Sequence, residues 1–175
     1  GNGGGDSLYG GGSGVDPGDT ADIIFGGAGG DTLWGNGGAD TIYGSGTSTD
    51  SNDGADLVYG GAGNDIISTD IGNDTIYGNE GNDEMTGGDG NDVFAFGSGH
   101  GNDTITHFDQ AGSAAGDLIQ ITANADDNGI TTVADILSHI SYIEGLAIIT
   151  NGGSNTIVIQ GVELSSLTVD DFVVV

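Results

Sequence analysis

In the first 106 positions an apolar residue recurs two residues after an aspartate, mostly at intervals of nine residues. The unit reads G-G-x-G-x-D-x-U-x with U apolar, and clear copies begin at Gly26, Gly60 and Gly87. Ten units fit once two seven-residue insertions are allowed, in the units at residues 10–25 and 44–59. Their eighth positions are Leu8, Ile24, Leu33, Ile42, Val58, Ile67, Ile76, Met85, Phe94 and Ile105. So regular a period predicts a repeat architecture.

The end of each unit alternates in polarity, which predicts a three-residue strand with its middle side chain inward. The Gly-rich start predicts a sharp turn, because Gly adopts positive φ without strain. Two units then form one flattened coil of about 18 residues, and coils stack at roughly 4.8 Å. We therefore predict an all-β parallel solenoid of about ten repeats, in which two short sheets enclose one aliphatic row.

Charge narrows the possible partners of such a solenoid. The chain has 175 residues with 38 Gly, 27 acids, no Lys, no Arg and no Cys, and a formal charge of -27. Nucleic acid and anionic membrane surfaces are excluded as partners, because both require Lys or Arg. No apolar stretch is long enough to insert into a membrane. Because such a charge repels itself, we expect cations to be part of the folded state.

The chemistry of the turns indicates which cation. One apolar side chain in nine residues is too small a core to offset an ordering cost of roughly 1–2 kcal/mol per residue. Stacked turns would bring Asp carboxylates and backbone carbonyls together, and six or more hard oxygens at about 2.3–2.6 Å suit Ca2+. Mg2+ demands a tighter octahedron. Zn2+ prefers Cys and His ligands, and the chain offers no Cys and no clustered His.

These nonapeptides resemble the RTX repeat, the calcium-binding parallel β-roll of proteins exported by bacterial type I secretion. The resemblance covers residues 1–106 and implies ions held between successive turns on one edge by the sixth-position Asp and by carbonyls of the first four residues. One edge would use Asp6, Asp31, Asp56, Asp74 and Asp92, and the other Asp22, Asp40, Asp65, Asp83 and Asp103. The carbonyls would come from Gly26, Gly27, Ala28, Gly29, Gly35, Asn36, Gly37, Gly38, Gly60, Gly61, Ala62, Gly63, Gly78, Asn79, Glu80, Gly81, Gly87, Gly88, Asp89 and Gly90. Four gaps on each edge imply about eight Ca2+ ions.

The sequence departs from the family pattern at three places. His107 precedes Phe108 where the family often has Asp, which makes the last site depend on whether Asp109 substitutes. Thr69, Asp70 and Ile71 replace the usual Gly pair of their unit. The insertions carry Asp16, Asp19, Asp50 and Asp53, which either bind extra ions or form solvated loops.

Residues 107–175 lack the nonapeptide and are predicted to form a small C-terminal cap with a secretion signal. The pattern predicts a strand over 117–121, a short helix over 132–140 and a β-hairpin from Leu146–Thr150 and Thr156–Gln160. A cap would cover the open end of the solenoid. The tail from Leu167 to Val175 resembles the C-terminal end of type I secretion substrates, especially large RTX adhesins, and is also compatible with a plain edge strand.

Catalytic patterns are weak throughout. His100, His107 and His139 have no metalloprotease or triad spacing, and Ser13 and Ser98 lie in Gly-rich turns outside a G-x-S-x-G motif. The ninth-position aromatics Tyr9, Trp34, Tyr59 and Tyr77 fall on alternate units. They predict a ladder along one outer face that is either structural or a carbohydrate or partner platform.

The sequence therefore favours a monomeric, non-enzymatic module at the C-terminus of a secreted or cell-surface RTX adhesin. We expect it to bind calcium, to fold outside the cell and to use the type I secretion machinery. The chain starts without Met or a signal peptide and reads as part of a longer protein. The alternative is the C-terminal β-roll of a secreted RTX protease or lipase with an upstream catalytic domain.

Overall fold

The computed structural model describes residues 3–11, 19–46, 53–109, 116–125, 129–150, 155–163 and 166–175. Within these ranges, seven strands form one parallel sheet in the order β1 (Ser7–Tyr9), β3 (Thr32–Gly37), β5 (Leu57–Ala62), β7 (Thr75–Glu80), β9 (Val93–Phe96), β11 (Leu118–Ile121) and β15 (Phe172–Val174). A second sheet has the order β2 (Ile23–Phe25), β4 (Thr41–Tyr43), β6 (Ile66–Ser68), β8 (Glu84–Thr86), β10 (Asn102–His107), β14 (Thr156–Gln160), β13 (Leu146–Thr150) and β12 (Ile140–Ile143).

Successive units alternate between the two sheets, so that two units make one coil. Eighth-position residues pair with each other across coils, as Val58 does with Ile76 in one sheet and Ile67 with Met85 in the other. Equivalent residues of these regular coils are 18 apart, and the spacing rises to 25 where an insertion intervenes. The predicted all-β parallel roll is therefore confirmed.

The space between the sheets is filled by the eighth-position side chains. From Ile24 to Ile105 each of them is buried, whereas Leu8 in the first coil is only partly buried. The same apolar cluster continues into the C-terminal region through Ile119, Ile157 and Phe172. A single row of apolar residues thus runs the length of the roll.

The fourth position of the regular nonapeptides is Gly, and Gly63 shows two reasons for it. Gly63 has φ 136°, where L side chains are strained, and a Cβ there would collide with the carbonyl oxygen of Gly38 one coil earlier. At the second position positive φ is also found, but Asn36 and Asn79 tolerate it there at φ 74° and 70°. The turns are therefore packed backbone against backbone.

The C-terminal region adds strands to both sheets. β11 and β15 extend the first sheet in parallel, and β14 pairs in parallel with β10 before β13 and β12 continue antiparallel. The hairpin strands have the predicted bounds, while its tip at residues 151–154 lies outside the described part. The helix α1 (Val133–Ser138) is shorter than predicted, because Thr132 caps its N-terminus and Ile140 already begins β12.

Candidate metal sites

The sixth-position aspartates form two rows, one along each edge of the roll. In both rows, Oδ1 of an aspartate accepts the backbone N–H of the aspartate one coil earlier, at 2.6–3.0 Å. The first row contains Asp6, Asp31, Asp56, Asp74 and Asp92, and the second Asp22, Asp40, Asp65, Asp83 and Asp103. The structure thus brings together, edge by edge, the residues that the repeat spacing groups.

The second carboxylate oxygen of many row members is buried without a partner. Within the described part of the chain, Oδ2 forms no hydrogen bond in Asp31, Asp40, Asp56, Asp65, Asp83 and Asp92. Each of these residues is at most 3% exposed. Because an unpaired buried polar atom costs on the order of 1–3 kcal/mol, this pattern indicates that the free oxygens are ligand positions.

Backbone carbonyls converge on the same free oxygens. A Cβ on Gly60 would collide with Oδ2 of Asp65 and would lie 2.7 Å from the carbonyl oxygen of Gly78, one coil further. The same pairing of a carboxylate Oδ2 with a carbonyl from the next coil occurs over Gly26, Gly35 and Gly44. Only a residue without a side chain leaves these oxygens room to face a common ligand.

This donor set fits a hard divalent cation. Among the described residues no three Asp, Glu or His side chains gather around one point, so backbone oxygens have to complete any site. Carboxylate and carbonyl oxygens are the ligands that Ca2+ accepts in flexible, high-coordination geometry. This combination of carboxylate and backbone carbonyl oxygens therefore suits Ca2+ better than a cation that needs only side-chain ligands.

Three of the predicted carbonyl ligands also hold the coils together. The carbonyls of Ala62, Glu80 and Asp89 accept the N–H of the fourth-position Gly one coil earlier, at 2.8–3.0 Å. A carbonyl oxygen has two lone pairs, so this hydrogen bond leaves one free. The other predicted carbonyl residues lie in the same turns, and their role as ligands stays a prediction.

The rows are electrostatically unfavourable by themselves. Burial raises the pKa of Asp56, Asp83 and Asp92 to about 7, and that of Asp65 and Asp74 to about 6. The N–H bond from the preceding row member opposes this rise, while like charges along the edge add to it. Ionised rows at neutral pH thus call for a positive counter-charge.

The first row has one more member than the sequence analysis predicted. Asp117 Oδ1 accepts the N–H of Asp92, and its Oδ2 accepts the N–H of Asp109, at 2.9 and 2.8 Å. Asp109 thus donates its backbone N–H to the row, and its carboxylate lies near the row, because it adds to the raised pKa of Asp92 and Asp117. Its role as the substitute for the family's Asp stays a prediction. A signal was available, because Asp117 precedes the buried Ile119 by two residues, as in every nonapeptide.

The two departures inside the roll preserve the rows. Thr69 is fully buried and its hydroxyl donates to the carbonyl of Gly87 at 2.8 Å, while Asp74 keeps its place in the first row. In the insertions, Asp16 and Asp50 lie outside the described residues. Asp19 adds to the raised pKa of Asp40, and Asp53 to that of Asp56 and Asp74, so both carboxylates lie near the rows.

The predicted aromatic ladder is present on the first sheet. The rings of Tyr9, Trp34, Tyr59 and Tyr77 stack at centroid distances of 4.5, 5.9 and 4.9 Å, with planes within 16° of parallel. Trp34 and Tyr59 each stack between two other rings, so both of their faces are covered and the ladder offers mostly ring edges to a ligand. This geometry favours the structural interpretation over a sugar-stacking platform.

Comparison with known proteins also indicates a calcium-binding repeat. The sequence matches the family of RTX calcium-binding nonapeptide repeats, in four copies, at residues 16–47, 50–76 and 68–105, which together span half of the chain. No curated protein matches the chain. In the part of the chain that the structure describes, none of the helices is long and apolar enough to span a membrane.

Similar solved structures include those of an epimerase subunit and of a lipase. The solution structure of the AlgE6R3 subunit of the Azotobacter vinelandii mannuronan C5-epimerase has a TM-score of 0.51 at 22% identity, covering 92% of this chain and 83% of that one. The extracellular lipase LipA from Serratia marcescens has a TM-score of 0.46 at 17% identity. That match covers 89% of this chain but 38% of the lipase, so the chain spans well under half of the lipase's length.

Proposed function

The chain belongs to the RTX calcium-binding nonapeptide repeat family, and from this premise we propose that it is a calcium-dependent folding module. The observation that carries the proposal is the set of buried row members whose Oδ2 atoms have no hydrogen-bond partner among the described residues. In Asp31, Asp40, Asp56 and Asp65 this oxygen also lies beside a backbone carbonyl of the next coil. Bound Ca2+ supplies positive charge and accepts these oxygens as ligands. About eight ions, the number we propose, would offset roughly 16 of the 27 negative charges.

Ion binding is then coupled to folding by mass action. Only the rolled chain places two coils' oxygens together, so calcium stabilises the folded state and not the unfolded one. Where calcium is scarce, desolvated and mutually repelling carboxylates favour the unfolded chain. The residues of the rows thus make folding conditional on the calcium concentration.

Such conditional folding suits an exported protein, and we propose that the module belongs to a type I secretion substrate. The chain would stay unfolded inside the cell and fold in a calcium-rich medium or at the bacterial surface. In this proposal residues 1–106 form the calcium-binding roll and residues 107–175 the cap and secretion signal region. We propose a monomer without catalytic activity of its own, at the C-terminus of an RTX adhesin.

The alternative parent is a secreted RTX enzyme. The structural likeness to a lipase and to an epimerase subunit shows the fold alone, so it does not favour either parent. The repeat rows would have the same role in both, because calcium-dependent folding resides in this chain's own residues. Upstream sequence distinguishes them: tandem extender repeats indicate an adhesin, and a zinc or serine-hydrolase motif indicates an enzyme.

Circular dichroism tests the proposed function directly. The chain in excess EDTA should be largely unfolded, and titration with Ca2+ should produce β structure in one cooperative transition. Mg2+ at the same concentrations is the control and should be far less effective, because it holds its water ligands. A native β spectrum in EDTA at low salt, unchanged by Ca2+, would contradict the proposal.

A further inference from the structure

The first and last members of the second row differ from the three between them in what their second oxygen contacts. Oδ2 of Asp22, the first member, accepts the backbone N–H of Gly11 at 2.8 Å. Oδ2 of Asp40, Asp65 and Asp83 has no hydrogen-bond partner among the described residues. Oδ2 of Asp103, the last member of the row, lies 2.7 Å from Nδ1 of His100. Since an ionised carboxylate only accepts, the imidazole N–H is the donor in this contact.

The contact between His100 and Asp103 is enclosed. Their side chains are 2% and 1% exposed, and the imidazole packs edge to face against Phe96 at a centroid distance of 5.1 Å. Asp103 still uses its Oδ1 in the ordinary way, to accept the N–H of Asp83 at 3.0 Å. Asp103 therefore keeps the backbone hydrogen bond of the row, and only its Oδ2 differs, because it contacts the His100 side chain.

The repeat explains how His100 reaches this oxygen. It occupies the third position of its unit, three residues before the sixth-position aspartate. None of the other nonapeptides has a side-chain N–H donor at this position, where they carry Gly3, Ala28, Gly37, Ala62, Ile71, Glu80 and Asp89. A large donor at the third position is thus able to satisfy its own unit's aspartate from within the turn.

We infer that His100 takes the place of a cation at the last turn of the second row, so that the Asp103 turn binds no calcium. This inference rests on the proposed function, because it assigns where along the row calcium binding stops. The row would bind ions through Asp83 and end at a hydrogen bond supplied by the protein. The first row ends similarly, at Asp117, whose Oδ2 accepts the Asp109 N–H.

The number of bound ions tests the inference, measured by native mass spectrometry and by calcium titration of the full chain. His100→Ala should bind one ion more than the unchanged protein, because Asp103 Oδ2 becomes free like those of Asp65 and Asp83. His100→Asn should keep the original number, since the Asn amide presents a donor close to the position of Nδ1. His139→Ala, at an exposed histidine, is the control and should change nothing.

A second pair of variants covers the case in which His100→Ala fails to fold. Asp83→Asn should lower the number of bound ions by one, whereas Asp103→Asn should leave it unchanged. Of these two residues, Asp83 has an Oδ2 without a hydrogen-bond partner among the described residues, while Oδ2 of Asp103 contacts His100. Equal losses in both variants, or an unchanged ion number in a folded His100→Ala, would overturn the inference while the proposed function stood. An unchanged protein that binds no calcium at all would overturn the proposed function itself.

Discussion

Replacing Asp65 by Asn isolates the carboxylate oxygen that the proposal assigns to calcium. The Asn side chain keeps Oδ1, which accepts the N–H of Asp40 at 2.8 Å, and exchanges the unpartnered Oδ2 for an amide NH2. The row's backbone contacts are therefore retained. The variant should lose calcium binding at one turn without losing the hydrogen bond that holds the turn in register.

The size of the effect follows from mass action. At calcium a hundredfold above its Kd, one site stabilises the folded state by about 2.7 kcal/mol. For a chain of this length, losing that amount should lower the Tm in calcium by roughly 5–10 °C. Each tenfold rise in calcium adds about 1.4 kcal/mol per bound ion, so with about seven ions remaining the folding midpoint should rise only about twofold.

The same variant should behave oppositely in chelator. Burial and the neighbouring carboxylate of Asp40 raise the pKa of Asp65 to about 6, so the ionised side chain opposes folding when no cation is bound. Removing that charge should make the calcium-free chain no less stable than the unchanged protein. A variant that merely damaged packing would be less stable under both conditions.

Glu84→Gln is the matched control, because it removes one negative charge from an exposed position on the neighbouring strand β8. Calcium titrations followed by circular dichroism, with thermal melts in calcium and in EDTA, compare the three proteins. If Asp65→Asn and Glu84→Gln have the same midpoint and the same Tm in calcium, Oδ2 of Asp65 is not a calcium ligand and the reasoning fails.

Two further predictions use the pKa shifts and the turn geometry. Because burial raises the pKa of Asp56, Asp83 and Asp92 to about 7, their protonation favours the calcium-free fold below about pH 4 and this contribution is lost as pH rises through about 7. In EDTA, β structure measured by circular dichroism should thus increase from pH 8 to pH 5, and a pH-independent signal would refute this. Gly63→Ala should destabilise the calcium-loaded protein by at least about 1–3 kcal/mol in thermal melts, since φ is 136° and the Gly38 carbonyl blocks a Cβ. Gly97→Ala, with open space around its Cβ, should be nearly neutral, and equal effects in the two would contradict the argument.

Much of the roll could be predicted from the sequence because its period is local. An apolar residue two positions after each Asp fixes the inward row, and the nine-residue spacing fixes which aspartates share an edge. The insertion in the unit at residues 44–59 does not disturb this, since Leu57 still pairs with Thr32 and Ile66 with Thr41, each 25 residues earlier. Strand lengths were less predictable: β3, β5 and β7 have six residues, because their pairing continues into the next turn.

The ends of the rows could not be predicted in the same way. Asp117 lies 25 residues after Asp92, and the nonapeptide spacing that identified the other members is lost between them. Its place depends on β11 adding to β9, which is a long-range contact. The role of His100 is similarly hidden, because a histidine at the third position reads as turn material until the distance to Asp103 is known.

The rows also indicate why calcium-driven folding of this chain should be cooperative. Asp40 and Asp65 show how one aspartate serves two coils, since Oδ1 accepts the preceding coil's N–H while Oδ2 lies beside a carbonyl of the following coil. An ion that orders one carboxylate therefore positions a backbone donor and an acceptor in both neighbouring turns, which lowers the entropy cost of binding the next ion. The strands and the one apolar side chain per unit would not transmit this order by themselves, because such a core is too small to fix a turn that has lost its ion.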